Sequence, residues 1–220
     1  RHVLELADPT WCANCTTSGL SSGEGLIWRV RDSITRTKRN KDGTAETYVE
    51  DEGVADKRLF CMEEEFSAVL KVAAREGNTL SDLLRRAWDH GNLASLTKNS
   101  PARATGAHVT VAGHITTPEL RRLLSETDAL NGFGNRFLWL AVKRSQLLPE
   151  GGALGAADLG DLVLELRRAL HHVRTATLFE RTPEAREFWR QLYPVLTSDR
   201  PGLLGAITNR AEAYVMRLAV

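Results

Sequence analysis

The sequence predicts an α/β protein: a three-layer core with a mostly parallel sheet over residues 1–145, a linker over 146–155 and a helical subdomain over 156–220. Three observations carry that prediction. Leu59-Phe60-Cys61-Met62 is an apolar run that passes into Glu63-Glu64-Glu65 and then into Phe66, Val69, Leu70 and Ala73 at helical spacing, the pattern of a buried strand feeding a helix. Residues 108–116 form a second strand candidate, followed by Thr117-Pro118-Glu119; threonine as N-cap, proline at the first helical position and an acid in the first turn make a strong helix start. Beyond residue 155 the apolar pattern is helical throughout.

At 220 residues the chain has room for one large domain or a domain and a half. A hydrophobic content of 42% and a charged content of 26% are ordinary for a globular protein, and a net charge of +1 argues against a polycation seeking nucleic acid. No apolar run approaches the ~20 residues of a bilayer span, so no membrane partner is expected. Three cysteines do not make a disulfide framework, which predicts a reducing, cytoplasmic setting. Arg1 in place of a methionine, and a final stretch that stops inside a helical pattern, predict a piece of a longer protein.

Taken in order, Arg1-His2-Val3-Leu4-Glu5-Leu6 reads as the tail of a helix. Cys12 and Cys15 form a lone Cys-x-x-Cys without the second pair that structural zinc needs, so they read as spare thiols. Ser18-Gly19-Leu20-Ser21-Ser22-Gly23-Glu24-Gly25 leads into a short helix over 26–30. Such a loop can offer backbone N–H groups to an anion. It lacks the lysine of a Gly-x-x-x-x-Gly-Lys-Ser/Thr loop, a motif found nowhere in the chain, and a plain strand-to-helix turn is the simpler reading. Glu24 is a candidate for positioning an attacking water beside a nucleotide.

Residues 29–41 carry Arg29, Arg31, Arg36, Lys38, Arg39 and Lys41 against Asp32 alone. Asn40-Lys41-Asp42-Gly43 suggests a hairpin tip or a mobile loop. A basic mobile loop can touch a phosphate backbone without reading sequence; the alternative is a solvated loop offset by Glu46, Glu50, Asp51, Glu52 and Asp56.

Ligands of an open parallel sheet gather beyond the carboxyl ends of its strands, where this chain puts Glu63, Glu64 and Glu65. Three adjacent carboxylates repel one another unless solvated, protonated or neutralised by a cation. Mg²⁺ suits them, since it takes one or two carboxylates together with phosphate oxygens; the alternative is an acidic helix N-terminus. The helix that follows closes near Gly77, and a second, opened by Thr79-Leu80-Ser81-Asp82, places Leu80, Leu83, Leu84, Ala87 and Trp88 on one face before Gly91. Arg75, Arg85, Arg86, Lys98 and Arg103 leave this region basic on its exposed side.

His114 and Thr116 fall at the end of the second strand, in the acids' layer if the sheet is parallel. A histidine there can hydrogen-bond a phosphate, or be structural. Asn131-Gly132-Phe133-Gly134-Asn135 delivers Arg136 to the start of a further apolar strand over 137–142. A guanidinium so placed suits transferring phosphate charge; the alternative is a salt-bridged strand-edge arginine. After the Gly/Pro-rich linker, the predicted inward stripes are Leu159, Leu162, Val163, Leu166, Leu170 and Val173, then Ala185, Phe188, Trp189, Leu192 and Leu196, then Ile207, Ala211, Tyr214 and Leu218 on one last helix. Arg210 and Arg217 share a face of that helix and would serve phosphate from a lid or border an exposed stripe.

The acidic strand end, the strand ending in Gly113-His114-Ile115-Thr116 and the turn Asn131-Gly132-Phe133-Gly134-Asn135-Arg136-Phe137-Leu138-Trp139 together resemble the RecA-like P-loop ATPase domain of primase–helicase proteins from phages, plasmids and mobile elements. The resemblance runs from the Gly/Ser loop to the terminal helix. It implies a partial RecA-like core over 1–145 whose phosphate-binding loop lies upstream of this stretch, with ATP and Mg²⁺ as cofactors. It also implies roles: Glu64 and Glu63 toward the metal, Glu65 and Glu64 in catalysis with Glu24, Arg136 as an arginine finger, and His114, Thr116 and Arg210 toward the nucleotide. The partners implied are single-stranded DNA, met through the basic loop, and further copies of the chain, a hexameric ring among the forms. The alternative is a non-catalytic DNA- or protein-binding module of a mobile-element complex. A hydrolase using the carboxylates directly finds no nucleophile–base pair in the sequence.

Overall fold

A computed structural model of the chain describes residues 1–96, 102–152, 154–155, 157–176 and 178–219. Lys98 of the basic region and Ala153 of the linker lie outside the described residues. Two compact units are formed: Cys15–Arg136, and Arg1–Asn14 together with Phe137–Val220. The fold is mixed α/β with a three-stranded parallel sheet.

The chain opens on α1 (His2–Ala7) and α2 (Pro9–Cys15), and then enters β1 (Thr16–Thr17) and α3 (Gly23–Arg29). A hairpin of β2 (Ile34–Arg39) and β3 (Ala45–Asp51) precedes β4 (Arg58–Glu63), α4 (Phe66–Ala73) and α5 (Leu80–Asp89). The short antiparallel pair β5 (Leu93–Ser95) and β6 (Ala102–Ala104) leads to β7 (His108–Gly113), α6 (Thr117–Leu123), α7 (Glu126–Leu130) and a 3-10 turn over Gly134–Arg136.

The parallel sheet has the order β1-β4-β7. Thr16 and Thr17 stand opposite Phe60 and Cys61, and Arg58 to Glu63 run in register with His108 to Gly113. Along β4 the side chains of Leu59, Cys61 and Glu63 are buried, alternating with the half-buried Phe60 and Met62, as the two-residue period of a strand requires. Leu26, Ile27 and Val30 of the α3 region, Phe66, Val69 and Leu70 of α4, and Leu80, Leu83 and Leu84 of α5 complete the core with Leu93 and Phe133. Each such side chain contributes roughly 1.5–3 kcal/mol on burial. Gly91, at φ +68°, closes α5 by donating its N–H to the Arg86 carbonyl at 3.0 Å.

Several expectations are corrected. Residues 137–142 form no strand, and Leu138, Leu140 and Val142 are exposed. A strand exists only where a second backbone completes its hydrogen bonds, and no described strand pairs with this stretch. The cap of α6 is Thr116 rather than Thr117: its hydroxyl accepts the Glu119 N–H at 3.4 Å, with Pro118 in the first turn. Of the two readings of Asn40-Lys41-Asp42-Gly43 the hairpin tip is the one found: Ile34–Arg39 of the basic segment form β2, which pairs antiparallel with β3 around a tip where Gly43 takes φ +84°.

The second unit also contains a 3-10 turn (Ala157–Leu159), α8 (Gly160–Thr175), α9 (Pro183–Leu196), α10 (Gly202–Thr208) and α11 (Ala211–Leu218). The single last helix expected from the sequence is thus two, broken at Asn209 and Arg210. Leu159 and Val163 are buried, whereas Leu162, Val173, Phe188 and Leu218 of the predicted inward stripes are exposed. An apolar stripe is covered only where another element reaches it. Within this unit Arg167 donates to the carbonyls of Leu6 and Ala7, and Arg174 pairs with Asp8 at 2.6 Å, tying α8 to the end of α1. Among the described residues no helix is long and apolar enough to cross a membrane.

Candidate functional site

Parallel pairing sets Glu63, the last residue of β4, opposite Gly113, the last of β7. Glu64 and Glu65 follow in a two-residue turn before α4, and His114 follows Gly113, so the acids and His114 lie at one carboxyl edge. Backbone bonds join them: the Glu63 carbonyl accepts the His114 N–H at 3.0 Å, and the His114 carbonyl accepts the Phe66 N–H at 2.8 Å. Gly113 leaves room for this approach, since a Cβ there would stand 2.8 Å from the Phe66 ring.

The Gly/Ser loop is held to the same edge. Glu63 Oε1 accepts the Leu20 N–H at 2.9 Å, and Asn78 Nδ2 donates to the Ser21 carbonyl at 3.2 Å. Ser22 caps α3 by accepting the Gly25 N–H at 3.0 Å. The anion that meets a loop N–H is therefore the chain's own carboxylate. Sequence reasoning missed this bond, because nothing local links residues 43 positions apart.

The three acids separate by environment. Glu63 is 6% exposed. Glu64 and Glu65 are exposed and form no ion pair among the described residues. Glu65 takes the N-cap position of α4 without a side-chain cap bond, where the helix dipole favours negative charge. Glu24 is exposed in the first turn of α3. His114 is exposed, while the Thr116 hydroxyl is engaged, accepting from the Glu119 N–H and donating to Glu119 Oε2 at 3.0 Å.

Arg136 is drawn elsewhere. Its guanidinium pairs with Asp89 Oδ2 at 2.7 Å at the end of α5, donates to the Gly132 carbonyl at 2.5 Å and lies 5.7 Å from the Trp88 ring. With its side chain 9% exposed it is salt-bridged, as one of the two readings held, but it ends a 3-10 turn and borders no described strand. Asp89 went unrecognised there; its place beside the α5-closing Gly91 was the available signal. Arg210 lies in the other unit, at the N-cap of α11.

A magnesium ion keeps several waters and takes one or two carboxylates with phosphate oxygens. Glu64 and Glu65 fit that donor set; Glu63, whose carboxylate is turned to Leu20, fits it poorly. No group of three His, Cys, Asp or Glu among the described residues is placed to form an all-protein cage.

The hairpin is the other charged feature. Arg31 grips Asp51 Oδ2 through Nε at 3.0 Å and Nη2 at 2.8 Å, and Arg36 pairs with Glu50 at 2.5 Å. These bonds pair two of the six cations of the basic segment with the acidic stretch that follows it. The Arg31 guanidinium and then the Gly53 N–H hold the Asp51 carboxyl below the usual range. Lys38, Arg39 and Lys41, toward the tip, form no ion pair among the described residues. Comparison of the chain with protein-family models, with curated proteins and with solved structures gives no match in any of the three.

Proposed function

We propose that the chain is part of a RecA-like P-loop ATPase domain of the primase–helicase kind, in which Mg²⁺-dependent ATP hydrolysis drives movement on DNA or its unwinding. The observation that carries this reading is the division among the acids. The central strand of a parallel sheet ends in one buried, hydrogen-bonded carboxylate and two exposed, uncommitted ones, with His114 beside them. Bound Mg²⁺ neutralises charge on the phosphate oxygens. Glu64 would hold the ion, Glu65 and Glu24 would orient the attacking water, and His114 would hydrogen-bond a terminal phosphate oxygen. Arg136 has a structural partner in Asp89, so its part as an arginine finger rests on the resemblance alone. Single-stranded DNA and further copies of the chain, in a ring, are the partners of this reading.

The 220 residues contain no Gly-x-x-x-x-Gly-Lys-Ser/Thr loop, so the reading requires one upstream. The coding sequence before Arg1 tests it. A glycine-rich loop ending in Lys-Ser or Lys-Thr within one strand–helix unit, about 30 residues, is the expected result; its absence would overturn the reading.

The unpaired Lys38, Arg39 and Lys41 favour a second reading, a non-catalytic DNA- or protein-binding module. On that reading Glu64→Gln with Glu65→Gln leaves binding intact, and replacing the three cations by glutamine removes it.

A further inference from the structure

We propose that Glu63 is a positioning residue, a built-in hydrogen-bond acceptor that fastens the Gly/Ser loop to the strand ends, and that it leaves the cation to Glu64. The second half rests on the function proposed above; the first stands on the hydrogen bonds alone. Three segments join through this one residue. Its Oε1 accepts the Leu20 N–H at 2.9 Å from the loop after β1, its backbone carbonyl accepts the His114 N–H at 3.0 Å from the end of β7, and it is itself the last residue of β4.

The burial of both partners gives the bond its weight. Leu20 is 9% exposed and Glu63 6%, and a buried N–H left without an acceptor costs free energy where a solvated one would not. Leu20 stands two residues before Ser22, the cap of α3, and α3 carries Glu24 in its first turn. Fixing Leu20 therefore fixes where that helix begins and where Glu24 stands relative to the acidic edge. The carboxylate of Glu63 faces inward to do this, and Glu64 and Glu65 remain solvated.

Two substitutions in the full chain separate this role from that of a metal ligand. Glu63→Gln keeps an acceptor oxygen at the same reach but removes the charge. Glu63→Asp keeps the charge but withdraws the oxygen by one carbon–carbon bond, about 1.5 Å. Amide hydrogen exchange at Leu20 reads the clamp, and paramagnetic line broadening by Mn²⁺ reads the cation site. A positioning role predicts that Glu63→Gln keeps Leu20 protected within about threefold, while Glu63→Asp speeds its exchange by about tenfold or more. It also predicts Mn²⁺ affinity within about twofold of the parent in Glu63→Gln, against a loss of about tenfold in Glu64→Gln.

The reverse pattern, with Mn²⁺ affinity lost in Glu63→Gln and Leu20 exchange unmoved in Glu63→Asp, overturns the proposal. If Mn²⁺ binds no variant and not the parent, the metal-dependent function fails, and the Leu20 exchange pattern still decides the clamp. Should Glu63→Asp not fold, Glu63→Gln decides alone: protection and parent-like Mn²⁺ binding support the role, and loss of protection overturns it.

Discussion

Asp56 accepts from Arg58 three times, at 2.8 and 2.5 Å from the guanidinium and at 3.0 Å from the backbone N–H. These bonds bring its carboxyl down to about 2 against the opposing effect of burial. An unfolded aspartate titrates near ~3.9, so the depressed value stabilises the fold fully above about pH 4, and that contribution fades as pH falls through about 2. The pair is more than a third exposed, which limits it to below about 1 kcal/mol. Arg58→Gln should therefore lower stability near neutral pH and flatten the acid limb between about pH 4 and 2, as read by denaturant melts across that range. Cys61 is the opposite case: burial first, and then the Glu63 charge, push its thiol up to about 12. It should resist a thiol reagent at pH 8 in the native protein and react in denaturant; prompt native labelling at Cys61 would contradict its placement. Residue types were legible in the sequence at this scale, but partners were not. The Glu63–Leu20 and Arg136–Asp89 contacts join residues 43 and 47 positions apart, and only tertiary folding brings them together.

The elements that read clearly were those with signals at both levels. β4 and β7 were legible because an apolar run was followed at once by a helix start, and α5 because its apolar face was closed by Gly91. Gly91 is also where the element scale is most exposed to test. At φ +68°, with the backbone of Ala107 pressed against the place a Cβ would occupy, alanine there meets both backbone strain and a clash that no side chain can relieve. Gly91→Ala should cost about 3 kcal/mol in denaturant unfolding, whereas Gly43→Ala, with nothing within 4 Å, should cost only the strain of its φ, roughly 1 kcal/mol. Equal costs would contradict the packing of α5 against the start of β7. The segment 137–142 misled because a continuous apolar run says that side chains favour burial and nothing of whether a neighbouring strand is there to pair with. Its Leu138, Leu140 and Val142 are therefore exposed, on a stretch that pairs with none of the described strands.

Over the whole molecule, the α/β class and the parallel pairing of the two main strands followed from the sequence, while the packing of the helical unit did not. Leu162, Val173, Phe188 and Leu218 lie on stripes that periodicity marks as inward, and periodicity carries no information about what covers a stripe. The proposed function rests on the sheet's carboxyl edge. There Glu63 is tied into the fold, and in the proposed function Glu64 and Glu65 serve an Mg²⁺-bound nucleotide. The most direct measurement is Mg²⁺-dependent ATP turnover by the intact protein that carries this chain, compared with its Glu65→Gln variant. Turnover in the parent and a fall of about 100-fold or more in the variant, with folding unchanged, is the expected result. Turnover that survives Glu65→Gln undiminished, or a parent with none, would contradict it.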